Sequence, residues 1–112
     1  FIKSIQSKAC DISVSASAEN SFSLELFGLK ISFNADDKIL QCLDKFAPLK
    51  CENGTVDLRI IFDTLYTEIF ADFGTVFMGM TYIADSNLNS LSIESKNAII
   101  HNIRVSELNS IH

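Results

Sequence analysis

Apolar and polar residues alternate along most of this chain, with the two-residue period of a strand that buries one face. Ile12, Val14, Ala16 and Ala18 share one parity, Phe22, Leu24 and Leu26 follow, and beyond Gly28 the pattern resumes at Leu29, Ile31 and Phe33. The run Asn34-Ala35-Asp36-Asp37 predicts a turn that closes a hairpin onto residues 39–43. Residues 44–53 are the least regular. They hold the only proline, Pro48, and lead to Asn53-Gly54, a dipeptide suited to positive φ, so they predict a loop with at most an edge strand.

The clearest strand pattern sets Val56, Leu58, Ile60 and Phe62 on one side and Asp57 and Arg59 on the other. Turns at 63–66 and 71–74 then predict strands at 67–70 and 75–83, a three-strand meander. Asp85-Ser86-Asn87 breaks it, Leu91 and Ile93 mark another strand, Lys96-Asn97 a turn, and residues 98–101 and 103–108 two closing strands. The expectation is about nine or ten short strands. No window carries a clean i, i+3, i+4, i+7 pattern; residues 37–46 come nearest, with Ile39, Leu40 and Leu43 on one helical face. Strands apolar on one side only need a second sheet to cover them. The chain therefore reads as all-β, a two-sheet antiparallel β-sandwich with its Phe residues filling the layer between the sheets in the absence of Trp.

Composition narrows the function classes. With 112 residues, 47% hydrophobic and 21% charged, the chain is the size of one ordinary domain, and residues 1–112 read as one module. Fourteen acidic against nine basic side chains give a net charge of −5, which supplies no field for phosphates, so neither nucleic acid nor a membrane surface is expected as a partner. No apolar run approaches the roughly 20 residues of a membrane-spanning helix. The sequence begins at Phe1 without an initiator Met, and a piece of a longer protein is expected. Its compartment is not legible. Cys10, Cys42 and Cys51 show no CxxC spacing, and Cys42 and Cys51 would pair only if their strands were neighbours.

One stretch carries a family resemblance. Leu58-Arg59-Ile60-Ile61-Phe62-Asp63, then Glu68-Ile69-Phe70 and Asp72-Phe73-Gly74, resembles the Leu-Arg-x-x-x-Asp, x-x-Glu-x-Phe, x-x-Gly signature in the C-terminal β-sandwich module of glycoside hydrolase family 32, the invertases, inulinases and levanases that hydrolyse β-fructosides. Ala47-Pro48-Leu49 ahead of it and the closing run from Ile103 to Ile111 are similar to the same module, although Thr64 stands where an Arg is common and His112 where a Trp often ends the strand. The resemblance implies a jelly-roll or lectin-like sandwich that braces a separate, N-terminal five-bladed propeller of the same parent chain, where the catalysis resides. None of that propeller's motifs is present: no Asn-Asp-Pro-Asn, no Arg-Asp-Pro, and Cys51-Glu52 in place of Glu-Cys. The resemblance thus implies a non-catalytic accessory module that contacts fructan at most, in a parent devoted to carbohydrate metabolism.

The individual residues agree with a structural role. A retaining glycosidase needs two carboxyl groups about 5 Å apart, and the best pair here is Asp63 and Glu68. At a hairpin corner, Asp63 is expected to bind backbone N–H groups of its own turn and Glu68 to pair with Arg59, so Asp63, Glu68, Phe70 and Gly74 are read as shaping the hairpins. His101 and His112, the only histidines, and three scattered cysteines give no nucleophile constellation, no metal spacing and no cofactor site. Carbohydrate contact needs an aromatic ring beside planar polar groups, which leaves Tyr66, Phe73 and Tyr82 as candidates for an independent carbohydrate-binding, lectin-like module. The outward residues of 75–83 are candidates for docking on the propeller, and for a homodimer of the isolated chain through the surface so exposed.

Overall fold

The computed structural model describes residues 2–5, 9–63, 65–83, 88, 90–94 and 99–108. Within them run eleven strands: β1 (Ile2–Ser4), β2 (Cys10–Ser17), β3 (Phe22–Leu26), β4 (Leu29–Asn34), β5 (Ile39–Cys42), β6 (Lys45–Pro48), β7 (Thr55–Phe62), β8 (Tyr66–Ala71), β9 (Val76–Thr81), β10 (Ser90–Glu94) and β11 (Ile100–Glu107). A single 3-10 turn, Glu52–Gly54, leads into β7. Two antiparallel sheets result, in the orders β1-β10-β3-β4-β5-β6 and β11-β2-β7-β8-β9. Their apolar faces meet, as the alternation predicts.

The interlayer is built parity by parity. Ile12, Val14 and Ala16 of β2, Val56, Leu58, Ile60 and Phe62 of β7, and Ile69 and Ala71 of β8 are buried from one sheet; Phe22, Leu24 and Leu26 of β3, Ile31 and Phe33 of β4, and Leu40 and Cys42 of β5 meet them from the other. Rings lock the layers together. Phe27 packs on Phe62 with centroids 5.0 Å apart, Tyr82 meets Phe62 edge-on at 6.3 Å, and the Tyr82 hydroxyl donates to the Phe27 carbonyl at 2.9 Å. The Cys42 thiol lies 3.3 Å from the Met80 sulfur across the layer.

Several expectations change. Among the described residues only Phe22, Phe27, Phe33 and Phe62 fill the interlayer, whereas Phe46, Phe73 and Phe77 are exposed. Each of those three sits on an outward parity or at a turn tip, which hydrophobicity alone does not reveal. Residues 39–42 form the expected hairpin strand as β5 and no helix forms over 37–46; the addition is a two-residue turn at Leu43-Asp44 that folds β6 back onto β5 in the register Cys42↔Lys45. The edge strand expected within residues 44–53 is β6. Strand β1 is too short for periodicity to show. Residues 100–107 form one strand with a register shift between Ile100 and Asn102, so a bulge replaces the expected break. The expected turns at Asp85-Ser86-Asn87 and Lys96-Asn97 lie outside the described residues.

Candidate functional site

The outer face of the six-stranded sheet carries a groove of about 900 Å³. Its floor follows from strand pairing. Glu94 lies opposite Ser23, Ser23 opposite Ser32, Ser32 opposite Gln41 and Gln41 opposite Phe46, which makes one straight row across β10, β3, β4, β5 and β6. Four strand spacings make that row roughly 19 Å long. Short hydroxyl side chains keep its middle low, a carboxylate stands at one end, and at the other an amide lies beside a Phe46 ring that is 63% exposed. Lys30, Asn34 and Asp37 complete the polar rim. The Asn34 side-chain oxygen accepts from the backbone N–H groups of Asp36 (2.9 Å) and Asp37 (3.1 Å), which fixes the β4–β5 turn at the groove's margin.

This arrangement suits a neutral polyhydroxylated chain. The exposed ring offers a flat apolar face for the C–H face of a sugar, while amide, hydroxyl and carboxylate groups meet its hydroxyls. The lining mixes Lys30 with Asp37 and Glu94, so it has no uniform charge to attract an ion. Ser23, Ser32, Gln41 and Phe46 were not found by sequence reasoning. The run Lys30, Ser32, Asn34 on one parity of β4 was the available signal, but the role of Phe46 depends on the turn that sets its register.

The residues singled out in the sequence lie elsewhere, on the five-stranded sheet. Asp63 closes the β7–β8 corner, its backbone N–H donating to the Tyr66 carbonyl (2.9 Å) and its carbonyl accepting from the Tyr66 N–H (3.3 Å). Glu68 lies opposite Ile61 on the outer face. Arg59 does not pair with Glu68: its guanidinium makes a two-pronged bond to Asp11 on β2, at 3.1 and 2.7 Å. The diagonal neighbour on the other side of β7 takes the contact. That guanidinium holds the Asp11 carboxyl below its usual value, with burial a smaller, opposing influence.

Phe70 lies opposite Arg59 in the strand register and packs on Phe77, centroids 5.2 Å apart. Gly74, at φ +88°, ends the β8–β9 turn, and a Cβ there would meet open space. Buried Asp72 ties that turn down, accepting from the backbone N–H groups of Lys50 (2.7 Å) and Cys51 (3.4 Å). Tyr66 and Phe73 stand at opposite ends of β8, roughly 17 Å or more apart, and Tyr82 uses its hydroxyl inside the fold. The three are not brought together. Tyr66 instead joins Phe70 and Phe77 in an aromatic patch over Gly79, whose missing Cβ leaves room for the Tyr66 hydroxyl and the Phe77 ring.

The cysteines are free thiols, all buried. Burial pushes Cys42 up to about 11 and, with the nearby Glu107 and Asp11 carboxylates, Cys10 up to about 12. Cys51 is raised as well, by burial first and then by Asp72. Such thiols are poor nucleophiles.

The sequence matches no protein-family model and no curated protein. Solved structures do match. The chain is similar to part of an exo-inulinase from Aspergillus awamori (14% identity, TM-score 0.78), covering 94% of this chain and 25% of that one. It is also similar to part of a fructofuranosidase from Schwanniomyces occidentalis solved with fructose (15% identity, TM-score 0.75), covering 98% of this chain and 31% of that one. The galectin LEC-6 of Caenorhabditis elegans matches at 14% identity and TM-score 0.70, covering 96% of this chain and 90% of its own. At these identities the likeness is one of fold. The chain thus has a sandwich fold that occurs both as a minor part of the exo-inulinase and fructofuranosidase structures and as nearly a whole galectin.

Proposed function

We infer that this chain is the accessory β-sandwich of a family 32 β-fructosidase, a levanase or inulinase type of enzyme, and that it is not catalytic by itself. The observation that carries the reading is the match of 94% of the chain to a quarter of an exo-inulinase. The Leu58–Gly74 signature supports it at the level of sequence. The module braces a catalytic propeller elsewhere in the same parent chain. Its docking surface is the outer face of the five-stranded sheet, where Tyr66, Phe70 and Phe77 gather.

In this reading Asp63 closes a corner, Glu68 stands on the outer face of β8, and neither does chemistry. Sucrose and inulin incubated with the pure chain are expected to stay intact; release of fructose would overturn the assignment. The reading frame upstream of Phe1 is expected to encode a propeller with Asn-Asp-Pro-Asn, and a different domain there would count equally against it.

A second reading, an independent carbohydrate-binding module, is favoured by the row from Glu94 to Phe46. In calorimetric titrations with fructan oligosaccharides, binding at millimolar affinity or tighter is expected. Phe46→Ala or Gln41→Ala should weaken it about tenfold, the worth of one ring or polar contact. Binding lost on changing Tyr66 or Phe73 instead would move the site to the other sheet.

A further inference from the structure

Each sheet ends in two edge strands, and an edge offers unpaired backbone groups to any other strand. Three of the four edges are protected. Strand β1 has three residues and carries Lys3; β6 carries Lys45 and Pro48; β11 has a bulge, Arg104 and Glu107. Strand β9 has none of these. Residues 73–83 contain no charged side chain and no proline, β9 pairs with β8 without a register shift, and among the described residues no strand lies on its other side.

The direction of its free groups is fixed. The Tyr82 N–H donates inward to the Leu65 carbonyl, so by alternation along the strand the backbone groups of Phe77, Gly79 and Thr81 point away from β8. We propose that β9 is a self-association edge, and that a second copy of this chain pairs antiparallel with it about a two-fold axis at Gly79. In that register Gly79 faces the partner's Gly79 and Phe77 faces the partner's Thr81. The three hydrogen-bonded pairs supply about six main-chain bonds. Gly79 lets the backbones approach without a side chain between them.

Charge selects this edge for a second copy. Two molecules of charge −5 repel, yet here they meet along an uncharged seam. Among the described residues of β8 and β9 the one carboxylate is Glu68, opposite Gly79, and it ends up three strand spacings from its counterpart, roughly 14 Å, beyond the screening length of about 8 Å at physiological salt. The seam lies in the plane of the five-stranded sheet, and pairing joins two such sheets into one continuous sheet. The contact is at the small end of interface sizes, so a weak, concentration-dependent dimer is expected. The inference does not depend on the parent enzyme proposed above.

Sedimentation equilibrium of the chain at up to about 1 mM, where small interfaces associate, tests it. The wild type is expected to approach twice the monomer mass. Phe77→Lys/Thr81→Lys, which sets lysines opposite each other in both outer pairs, should weaken dimerisation about tenfold or more. Phe77→Lys/Thr81→Glu sets opposite charges there and should restore it, while Phe46→Lys on the β6 edge should leave it unchanged. Melting curves establish that each variant is folded. Independently of any variant, hydrogen exchange at the Phe77, Gly79 and Thr81 amides should slow as wild-type concentration rises. A monomeric wild type, a double-lysine variant that still dimerises, a charge-paired variant that does not recover, a loss caused by Phe46→Lys, or exchange insensitive to concentration would each overturn the proposal.

Discussion

Thr67 shows how a single atom can oppose the fold. It is fully buried on the inward parity of β8, opposite Phe62 and Met80, and its hydroxyl has no hydrogen-bond partner. A buried hydroxyl without a partner costs about 1–3 kcal/mol. Thr67→Val keeps the shape and β-branching while removing the orphan group, so it should raise unfolding stability by about 1 kcal/mol, read as a higher urea midpoint at unchanged slope. Lower stability would show that the hydroxyl is satisfied in solution. The sequence places Thr67 in the first position of a meander strand, as the structure has it within β8, but a threonine on an inward parity looks no different from one facing water until the opposing sheet is known.

At the scale of elements, turns set the registers on which both faces depend. Phe27 and Gly28, at φ 49° and 89°, form the two-residue loop between β3 and β4, whose twist matches that of the flanking strands. Asp72 and Phe73 take positive φ at the β8–β9 turn, and the Asp72 carboxylate clamps the loop that enters β7. Asp72→Ala strands two backbone N–H groups and places Ala in a left-handed conformation. It should cost about 2–3 kcal/mol in chemical denaturation, with Asp72→Asn recovering part of that. Equal losses in both variants would assign the effect to charge. Hairpins β4–β5 and β7–β8 were legible because polar turn residues interrupt clean alternation. Strand β6 was half legible, since its pairing rests on a turn at Leu43-Asp44 that has no Gly or Asn to announce it.

Across the whole molecule, the outer face of the five-stranded sheet is joined by the bond between Arg59 on β7 and Asp11 on β2. Because the folded Asp11 carboxyl sits below its usual 3.8, the bond's contribution is present above the unfolded carboxylate's titration and is lost as pH falls through the folded value. Asp11→Asn should therefore melt below wild type at pH 7, and the gap should close below pH of about 4 as the wild-type carboxyl protonates. Melting curves of both proteins from pH 7 to about 2 check this; a gap that persists in acid would show that the side chain acts through packing. The expectation that Arg59 would meet Glu68 failed at this scale. Both acids are diagonal neighbours of the same guanidinium, and only the assembled sheet decides between them.

What the amino-acid order settled alone was the period of two, and with it strands, an antiparallel two-sheet architecture and the inward members of β2, β3, β4 and β7, because side chains in a strand alternate whatever surrounds them. The tertiary structure decided which strands are neighbours. That brought Glu94, Ser23, Ser32, Gln41 and Phe46 into one row from five separate strands, left β9 as the unguarded edge, and gave Arg59 to Asp11 across 48 residues of chain. Pairing between distant segments is set by the collective burial of both faces, a property no local stretch of the chain contains.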